Sequence, residues 1–407
     1  MEWIGDVPEH WLNMSLKRLA KICNGKDYKE VAEIDGEYPV MGSGGEFARA
    51  SSYLFNGESV LLGRKGTIDK PLYISGPFWA VDTMFYTEIP KHAFPKFVYY
   101  VALNIPFGRY STNTALPSMT GEVISSHPIA APNLNEQKAI ANYLDRETTR
   151  MDALISKKTR FIELLKEKRS ALITHAVTKG IAPNAKMRDS GVEWIREVPE
   201  HWDVMRLRHV ALFKNSNVDK KAYDGQEAVS LCNYTDVYYN EFITPNLPFM
   251  QATASAAEVE QFSLKKGDVL ITKDSEDPTD IGIPSLVAEE MPGVVCGYHL
   301  TMIRGDDFDT ARLLHRILQS HPTQAHFFVE APGITRYGLS QDAIGDLRCC
   351  LPPKNERSQI ADHLDRETAR IDTIIAKTQH SIDLLKERRS AFISAAVTGQ
   401  IDLREAA

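Results

Sequence analysis

The chain has 407 residues, 43% of them hydrophobic, and a formal net charge of −7. Because this length exceeds what one hydrophobic core usually holds, we expect two or more domains. No apolar run is long enough to span a membrane, and the segment from Met1 to Trp11 has neither the basic nor the apolar region of a secretory signal. We therefore expect a cytoplasmic protein that is neither inserted into a membrane nor secreted.

The first predicted domain, residues 1–133, begins with a motif that returns later in the chain. The motif repeats after 191 positions: Glu2-Trp3-Ile4 and Val7-Pro8-Glu9-His10-Trp11 return as Glu193-Trp194-Ile195 and Val198-Pro199-Glu200-His201-Trp202. We interpret the two repeated histidines as structural. The middle of the domain is rich in Gly, Pro, Tyr, Phe and Thr, and short apolar runs such as 57–62 predict strands. The first domain is therefore expected to be mainly β.

A long helix is predicted for residues 134–182, because neither Gly nor Pro interrupts the chain between Pro132 and Gly180. This segment and the linker after it, residues 183–192, carry twelve basic and seven acidic residues, a net charge of +5. Apolar residues fall at seventh positions, which is the pattern of a coiled coil. The residues predicted to pair with a second helix are Leu144, Met151, Leu165 and Leu172.

The second predicted domain, residues 193–353, has the same general composition as the first. Its run 267–272 resembles the strand predicted at 57–62, so we expect mainly β structure again. It contains 14 basic and 24 acidic residues, a net charge of −10. If this domain binds nucleic acid, its affinity must come from local patches or from a partner.

A second long helix is predicted for residues 354–402, and 26 of 47 residues are identical between 135–181 and 355–401. Its predicted pairing residues are Leu364, Ile371, Leu385 and Phe392. Antiparallel pairing of two such helices relates similar halves by a pseudo-two-fold axis. The predicted fold class is therefore α+β: two mainly β domains separated by two long helices that form an antiparallel coiled coil, with a pseudo-two-fold internal repeat.

Motifs for catalysis are missing from the sequence. Gly63-Arg64-Lys65-Gly66-Thr67 has the wrong spacing for a phosphate-binding loop, and Leu351-Pro352-Pro353-Lys354 lacks the flanking residues of an adenine methyltransferase tetrad. Gly42-Ser43-Gly44-Gly45 lacks the context of a dinucleotide fingerprint and is predicted to be a tight turn. We predict neither catalytic residues nor a metal site, and we expect the chemistry to reside in another polypeptide.

The tandem Val-Pro-Glu-His-Trp motifs, the variable middles and the pattern Asn135-Glu136-Gln137, Ile140-Ala141, Leu144-Asp145 make the chain similar to the specificity subunits of type I restriction-modification systems. The second copy departs from this pattern, because Arg357 replaces the Gln. The resemblance covers essentially the whole chain. It implies that 1–133 and 193–353 are target-recognition domains, which read the two parts of an asymmetric, interrupted site in double-stranded DNA.

The resemblance also implies the partners. The helical stems would space the two domains and dock two modification (methyltransferase) subunits, and restriction (translocase-nuclease) subunits would join the assembly. S-adenosylmethionine, ATP and magnesium would be used by those partners, while this chain itself would be a non-catalytic subunit that directs methylation and cleavage and holds no cofactor.

Polar residues in the β-rich middles are the candidates for DNA contacts. Arg can bind guanine with two hydrogen bonds, Asn can do so with adenine, and Lys and Thr suit phosphates. The candidates in the first domain are Arg64, Lys65, Thr67, Arg109, Tyr110, Thr112 and Asn113. Those in the second domain are Asn233, Tyr234, Lys273, Thr335, Arg336 and Tyr337.

Two alternatives stay open on the sequence alone. The chain could be a coiled-coil scaffold with two protein-binding heads, or a self-contained methyltransferase. Specific binding to an interrupted DNA site separates the first alternative from a specificity subunit. Binding of S-adenosylmethionine by the isolated chain would favour the second alternative.

Overall fold

The computed structural model describes residues 6–112 and 117–403. The chain divides into two compact units, the first formed by Met1–Thr159 with Gln379–Ala407 and the second by Arg160–Thr378. Each unit contains one mainly β domain and a part of each long helix. Within the described residues, no helix is both long and apolar enough to cross a membrane.

The β domain of unit 1 is built on two four-stranded sheets, with the strand orders β2-β9-β6-β7 and β4-β3-β8-β5. Its strands are β1 (Leu12–Ser15), β2 (Lys21–Asn24), β3 (Tyr38–Gly42), β4 (Gly45–Ala50), β5 (Phe55–Asn56), β6 (Ser59–Gly63), β7 (Leu72–Ile74), β8 (Pro77–Ala80), β9 (Met84–Glu88) and β10 (Pro128–Ala131). Its helices are α1 (Pro95–Leu103), α2 (Gly121–Ser125) and the start of α3 (Leu134–Lys179), with short 3₁₀ turns at Leu16–Arg18 and Phe107–Arg109.

The sequence patterns of the first domain explain its central strands. All five residues of β6 are buried, as expected for the apolar run predicted at 57–62. The glycine-rich segment 42–45 forms the tight turn between β3 and β4, and Gly45 has a φ of 107°. A side chain would be strained in that conformation, which accounts for the glycine.

The β domain of unit 2 has a five-stranded sheet, β14-β22-β18-β20-β16, and a three-stranded sheet, β17-β15-β21. The strands are β11 (Met187–Asp189), β12 (Glu197–Pro199), β13 (Asp203–Arg206), β14 (Leu212–Asn215), β15 (Glu227–Cys232), β16 (Phe242–Ile243), β17 (Met250–Ala254), β18 (Asp268–Thr272), β19 (Asp274–Ser275), β20 (Pro284–Val287), β21 (Val294–Cys296), β22 (Leu300–Arg304), β23 (Tyr337–Gly338) and β24 (Arg348–Leu351). The helices are α4 (Tyr234–Tyr239), α5 (Ala256–Phe262), α6 (Phe308–Gln319), α7 (His321–Glu330), α8 (Gln341–Gly345) and α9 (Lys354–Val397), with 3₁₀ turns at Leu207–His209 and Pro278–Asp280.

The two β domains share their topology. In each domain the strand after the repeated motif pairs antiparallel with the strand that precedes a long helix: β1 with β10, and β13 with β24. The sheet order β2-β9-β6-β7 in unit 1 matches β14-β22-β18-β20 in unit 2. The internal repeat of the sequence therefore corresponds to a repeat of the fold.

In unit 1, the beginning of α3 packs antiparallel against the end of α9. Leu144 and Ile393 belong to the same buried cluster. The ring centroids of Tyr143 and Phe392 lie 5.7 Å apart, and Arg389 Nε lies 2.9 Å from a carboxylate oxygen of Asp152. The partner on α9 moves towards lower numbers as the residue number on α3 rises, which defines antiparallel packing.

In unit 2, the end of α3 packs against the beginning of α9. Ile173 shares a buried cluster with Leu364, and Arg169 Nε lies 3.0 Å from a carboxylate oxygen of Asp372. Here too, residue numbers run in opposite directions along the two helices. The predicted fold class, two mainly β domains with two long antiparallel helices, is confirmed.

The residues predicted to pair the helices all lose solvent contact, though to different degrees. Leu144 and Leu364 are fully buried, and Met151, Leu165 and Ile371 are buried with less than a tenth of their surface exposed. Leu172, Leu385 and Phe392 are half-buried.

Candidate nucleic-acid interface

The repeated motif fastens each β domain to the first turn of a long helix. In unit 1, Glu136 accepts hydrogen bonds from Trp11 Nε1 at 3.0 Å and His10 Nε2 at 3.0 Å. In unit 2, Glu356 accepts hydrogen bonds from the equivalent residues of the second motif, Trp202 Nε1 at 3.0 Å and His201 Nε2 at 2.9 Å. Both indole rings are buried. The repeated histidines thus have structural partners, in line with their interpretation from the sequence.

A second repeated element, Leu-Asp-Arg-Glu-Thr, adds polar contacts between domain and helix. In unit 1, Asp145 forms an ion pair with Lys96 of α1 and accepts a hydrogen bond from the Tyr100 hydroxyl at 2.7 Å. The Tyr100 hydroxyl also lies 3.1 Å from Thr148 Oγ1. The buried Tyr100 ring therefore ends on the repeated Asp and Thr of α3.

The same element binds a pair of arginines in unit 2. Asp365 accepts hydrogen bonds from Arg312 and Arg316 of α6, at 2.6 and 2.7 Å, and Thr368 lies 3.3 Å from Arg316. Arg316 is almost fully buried and also contacts Glu241. Both units therefore use the same two positions on a long helix to hold one helix of the β domain.

A cleft of about 460 Å³ opens in unit 1 where the chain leaves β6. Met119 N donates to Arg64 O at 3.1 Å, and Lys65 forms an isolated antiparallel bridge with Ser118. These backbone contacts place the turn after β6 next to the segment that enters α2. We refer to this pocket as cleft 1.

Four of the predicted contact residues line cleft 1: Arg64, Lys65, Tyr110 and Thr112. Arg64 lies over the Phe85 ring at 5.9 Å, and the Tyr110 hydroxyl lies 2.6 Å from His127 Nδ1. Burial lowers the pKa of His127 to about 4, so its imidazole is neutral near pH 7 and can accept from Tyr110. Asn24, Ser118 and Thr120 add further polar groups that the sequence analysis missed.

Three predicted residues of the first domain do not join this group. Arg109 ends a 3₁₀ turn and Thr67 lies in the turn after β6; both are exposed, and neither lines cleft 1. Asn113 lies outside the described residues.

A second cleft, of about 260 Å³, occupies the corresponding place in unit 2. Leu339 N donates to Lys273 O at 2.8 Å, which is the equivalent of the Met119–Arg64 bond in unit 1. The pairing of β19 with β23 is likewise the equivalent of the bridge between Lys65 and Ser118. We refer to this pocket as cleft 2. It lies where the chain leaves β18 and before it enters α8.

Cleft 2 is lined by three predicted residues, Asn233, Tyr234 and Arg336, and by residues that sequence reasoning missed: Lys220, Thr235, Asp274, Ser275, Glu276 and His299. Arg336 Nη2 donates to Asp274 Oδ1 at 2.7 Å, and His299 Nδ1 lies 2.6 Å from the same oxygen. Burial lowers the pKa of His299 although Asp274 opposes the shift, so the imidazole is neutral near pH 7. The Nδ1–H of His299 then donates to Asp274.

The remaining predictions for the second domain fall around the cleft. Lys273 Nζ donates to Ser216 O at 3.4 Å, Thr335 is exposed, and Tyr337 lies in β23. Asp274 could have been found from the sequence, because it directly follows the predicted contact residue Lys273 at the end of a buried strand. No feature of the sequence pointed to His299 as a part of the cleft.

The described residues contain no group of three His, Cys, Asp or Glu side chains arranged to hold a metal ion. Both clefts instead gather hydrogen-bond donors and acceptors of the kind that bind base edges and phosphates.

Known proteins resemble this chain in sequence and fold. A family model described as the type I restriction modification DNA specificity domain matches residues 8–164. The EcoDI specificity subunit of Escherichia coli, a type I restriction enzyme component, is 24% identical over 227 residues, which cover 51% of this chain and 50% of that protein. The MjaVIII specificity subunit of Methanocaldococcus jannaschii is 22% identical over 279 residues, 65% of this chain and 64% of that protein.

Two solved structures share the fold. One, from work on complex assembly and conformational transition of a type I R-M system, has a TM-score of 0.74 at 13% identity and covers 97% of this chain and 100% of that one. The HsdS subunit from Thermoanaerobacter tengcongensis has a TM-score of 0.52 at 13% identity, with 97% and 98% covered. The matches span about half to two thirds of the curated relatives. On these matches, the chain is similar in sequence to type I restriction enzyme specificity subunits, and it shares its fold with solved structures from type I systems.

Proposed function

We propose that the chain is the non-catalytic DNA-reading subunit of a type I restriction-modification enzyme. Residues 1–133 and 193–353 are two target-recognition domains, each reading one part of a bipartite, asymmetric site in double-stranded DNA. Residues 134–182 and 354–402 are the spacer segments, which contain the long helices α3 and α9, and residues 183–192 link the first spacer to the second domain.

The proposal rests on one observation: both β domains are attached to their long helices by the same contacts, here called the mount, but they carry different clefts. Glu136 and Glu356 bind equivalent His and Trp residues, and an equivalent backbone hydrogen bond closes each cleft. The side chains that line the two clefts nevertheless differ. A protein that reads two unlike half-sites needs this arrangement, because direct readout depends on the side chains and the mount fixes their position.

Within cleft 1, Arg64 and Lys65 provide donors for guanine or phosphate, and Thr112 provides a hydroxyl. Within cleft 2, Arg336 is the corresponding donor, while Asn233 also ties the chain to α4 through its backbone N–H and Asp236, at 2.7 Å. Arg109, Thr67, Lys273, Thr335 and Tyr337 are proposed as contacts at the rims, and Asn113 as a further contact of the first domain.

Charge supports a role for partner subunits. The segment 193–353 has a net charge of −10, which opposes binding to a polyanion. We propose that two modification subunits supply much of the phosphate binding, and that restriction subunits join the complex in the cytoplasm. S-adenosylmethionine, ATP and magnesium belong to those partners.

Mapping of methylated adenines in DNA exposed to the assembled enzyme tests the proposal. The expected result is methylation at one interrupted sequence, and no methylation or cleavage by the isolated chain supplied with S-adenosylmethionine, ATP and magnesium. Methylation by the isolated chain would identify it as a methyltransferase. Assembly with partners but no sequence preference in DNA would leave a protein-binding scaffold instead.

A further inference from the structure

Asp274 is an unusual residue for a DNA-reading cleft, because its carboxylate would face a polyanion. Its side chain is 18% exposed, and its Oδ1 is shared by Arg336 Nη2 at 2.7 Å and His299 Nδ1 at 2.6 Å. From the residues that the structure describes, Oδ2 receives no hydrogen bond. The carboxylate is therefore held by one oxygen and can accept with the other.

The chemistry of base edges limits what this oxygen can bind. Phosphates and the N7, O6 and O4 atoms of bases are acceptors, and each would repel a carboxylate. In the major groove the donors are the amino groups of cytosine N4 and adenine N6. Arg336 and His299 already hold Oδ1, so the open oxygen Oδ2 is the atom that needs a donor, and at the major-groove edge only one of these amino groups can supply it.

Arg336 narrows the choice between the two bases. It uses Nη2 on Asp274, while its Nε and Nη1 donate to no partner within the described residues. Arginine donors prefer the O6 and N7 of guanine. The major-groove edge of a G·C pair presents these two acceptors beside the cytosine amino group, so one pair offers a partner to each side chain.

We propose that Arg336 and Asp274 together read a single G·C pair in the second half-site, with Arg336 on the guanine and Asp274 on the cytosine N4 amino group. This inference rests on the proposed function of the chain as a DNA reader. His299 is a positioning residue, because its ring is largely buried, holds Asp274 Oδ1 and leaves the second oxygen to the base.

Cleft 1 provides an internal contrast. Its described lining residues include Arg64 and Lys65 but no carboxylate. Of the two clefts, cleft 2 is the one that has Asp274 as an acidic acceptor. Removal of this carboxylate should therefore affect only the second half-site.

The test is the sequence preference of the assembled enzyme that carries Asp274→Asn. An amide fits the N6 and N7 edge of adenine as well as it fits cytosine N4, so the variant should accept an A·T pair at one position. We expect discrimination at that position to fall roughly 5- to 100-fold, with the first half-site unchanged. The measurement is the methylation rate on a DNA library randomised across both half-sites.

Asp306→Asn is the matched control. Asp306 is an exposed acid beyond the other end of β22 from His299, and it does not line cleft 2. It should leave all positions unchanged. Arg336→Gln provides a second variant, expected to relax the same base pair as Asp274→Asn.

The outcomes separate the proposal from the proposed function. If the wild-type complex methylates no specific interrupted site, the proposed function fails. If the wild-type complex does methylate a specific site, three results would overturn the G·C assignment. The variants Asp274→Asn and Arg336→Gln could relax different positions, they could relax a position at which the wild type requires A·T, or they could weaken methylation of all sequences equally. Complex assembly and thermal unfolding of each variant are measured alongside, and His299→Gln should loosen the same position less than Asp274→Asn does.

Discussion

Trp202 donates its indole N–H to Glu356 at 3.0 Å, and Trp11 makes the same bond to Glu136 at 3.0 Å. Each bond joins the repeated Val-Pro-Glu-His-Trp motif to the first turn of a long helix. Because the tryptophans are buried, the carboxylate is what satisfies an indole N–H that cannot reach water.

Loss of this acceptor should destabilise the unit that contains it. Glu136→Ala leaves the indole N–H of Trp11 unpaired and should reduce the local free energy of unfolding in unit 1 by about 1–3 kcal/mol. Glu356→Ala should do the same in unit 2. Hydrogen exchange measured along the chain reports each unit separately. Glu136→Gln retains an oxygen acceptor and is the control; equal losses for Gln and Ala would argue against the hydrogen bond as the cause.

The ion pairs between the long helices should differ in strength although they occupy equivalent positions. Arg169 lies 2.6 Å from Glu241 as well as 3.0 Å from Asp372, whereas Arg389 is paired with the half-exposed Asp152. Arg169→Met should therefore cost unit 2 about 1–3 kcal/mol, because it leaves a largely buried carboxylate with one cation fewer. Arg389→Met should cost unit 1 less than about 1 kcal/mol. Similar costs by hydrogen exchange would contradict this ranking.

The stability of unit 2 should depend on acid through Glu241. Burial would raise the pKa of Glu241, but Arg316 and Arg169 outweigh it and lower the pKa from 4.5 to about 2. A carboxyl with a lowered pKa stabilises the fold above its unfolded pKa and loses that effect as the pH falls through the folded value. Unfolding of unit 2 should thus become easier by about 3 kcal/mol between roughly pH 4.5 and pH 2.

Glu241→Gln is the check on this acid dependence. The variant should lower stability near pH 7 and flatten the dependence between those pH values, as measured by denaturant unfolding at a series of pH values. The burial of Arg316 beside Glu241 makes the loss at pH 7 larger than for an exposed ion pair. An unchanged slope in the variant would assign the acid sensitivity to other carboxyl groups, such as Asp365. Burial would raise the pKa of Asp365, but Arg316 and Arg312 lower it.

Replacement of one variable middle should alter one half of the DNA site. When residues 22–115 are replaced by the matching part of a relative, the hydrogen bond between Trp11 and Glu136 remains, the relative supplies the partners of Asp145, and the lining of cleft 1 changes. The assembled enzyme should then methylate a site with a new first half and the old second half. A change in both halves, or in neither, would show that the domains do not read independently.

A single substitution in cleft 1 refines the same prediction. Arg64→Ala should relax one base position of the first half-site by about 1–3 kcal/mol if Arg64 contacts a base. Equal weakening on every sequence would identify a phosphate contact instead. Arg109→Ala is the control, because Arg109 is exposed outside the cleft lining and should change overall affinity at most.

The sequence by itself determined the duplicated architecture, the long helices and their apolar stripes. These features depend on local periodicity and on similarity between segments, which are properties of the chain alone. The turn at Gly45 and the buried strand β6 also followed from short-range patterns, because a positive φ and a fully buried strand need particular residues at adjacent positions.

Tertiary structure alone decided which polar residues meet. Asp274 and His299 are 25 positions apart, and His299 and Arg336 are 37 apart. In the folded chain, His299 and Arg336 nevertheless both contact Asp274 Oδ1. No sequence period places an imidazole against a carboxylate at such distances, because the contact depends on how the sheets fold and on which oxygen remains open. For the same reason the repeat marked Glu136 as recurrent, but only the folded chain assigned its hydrogen bond to Trp11.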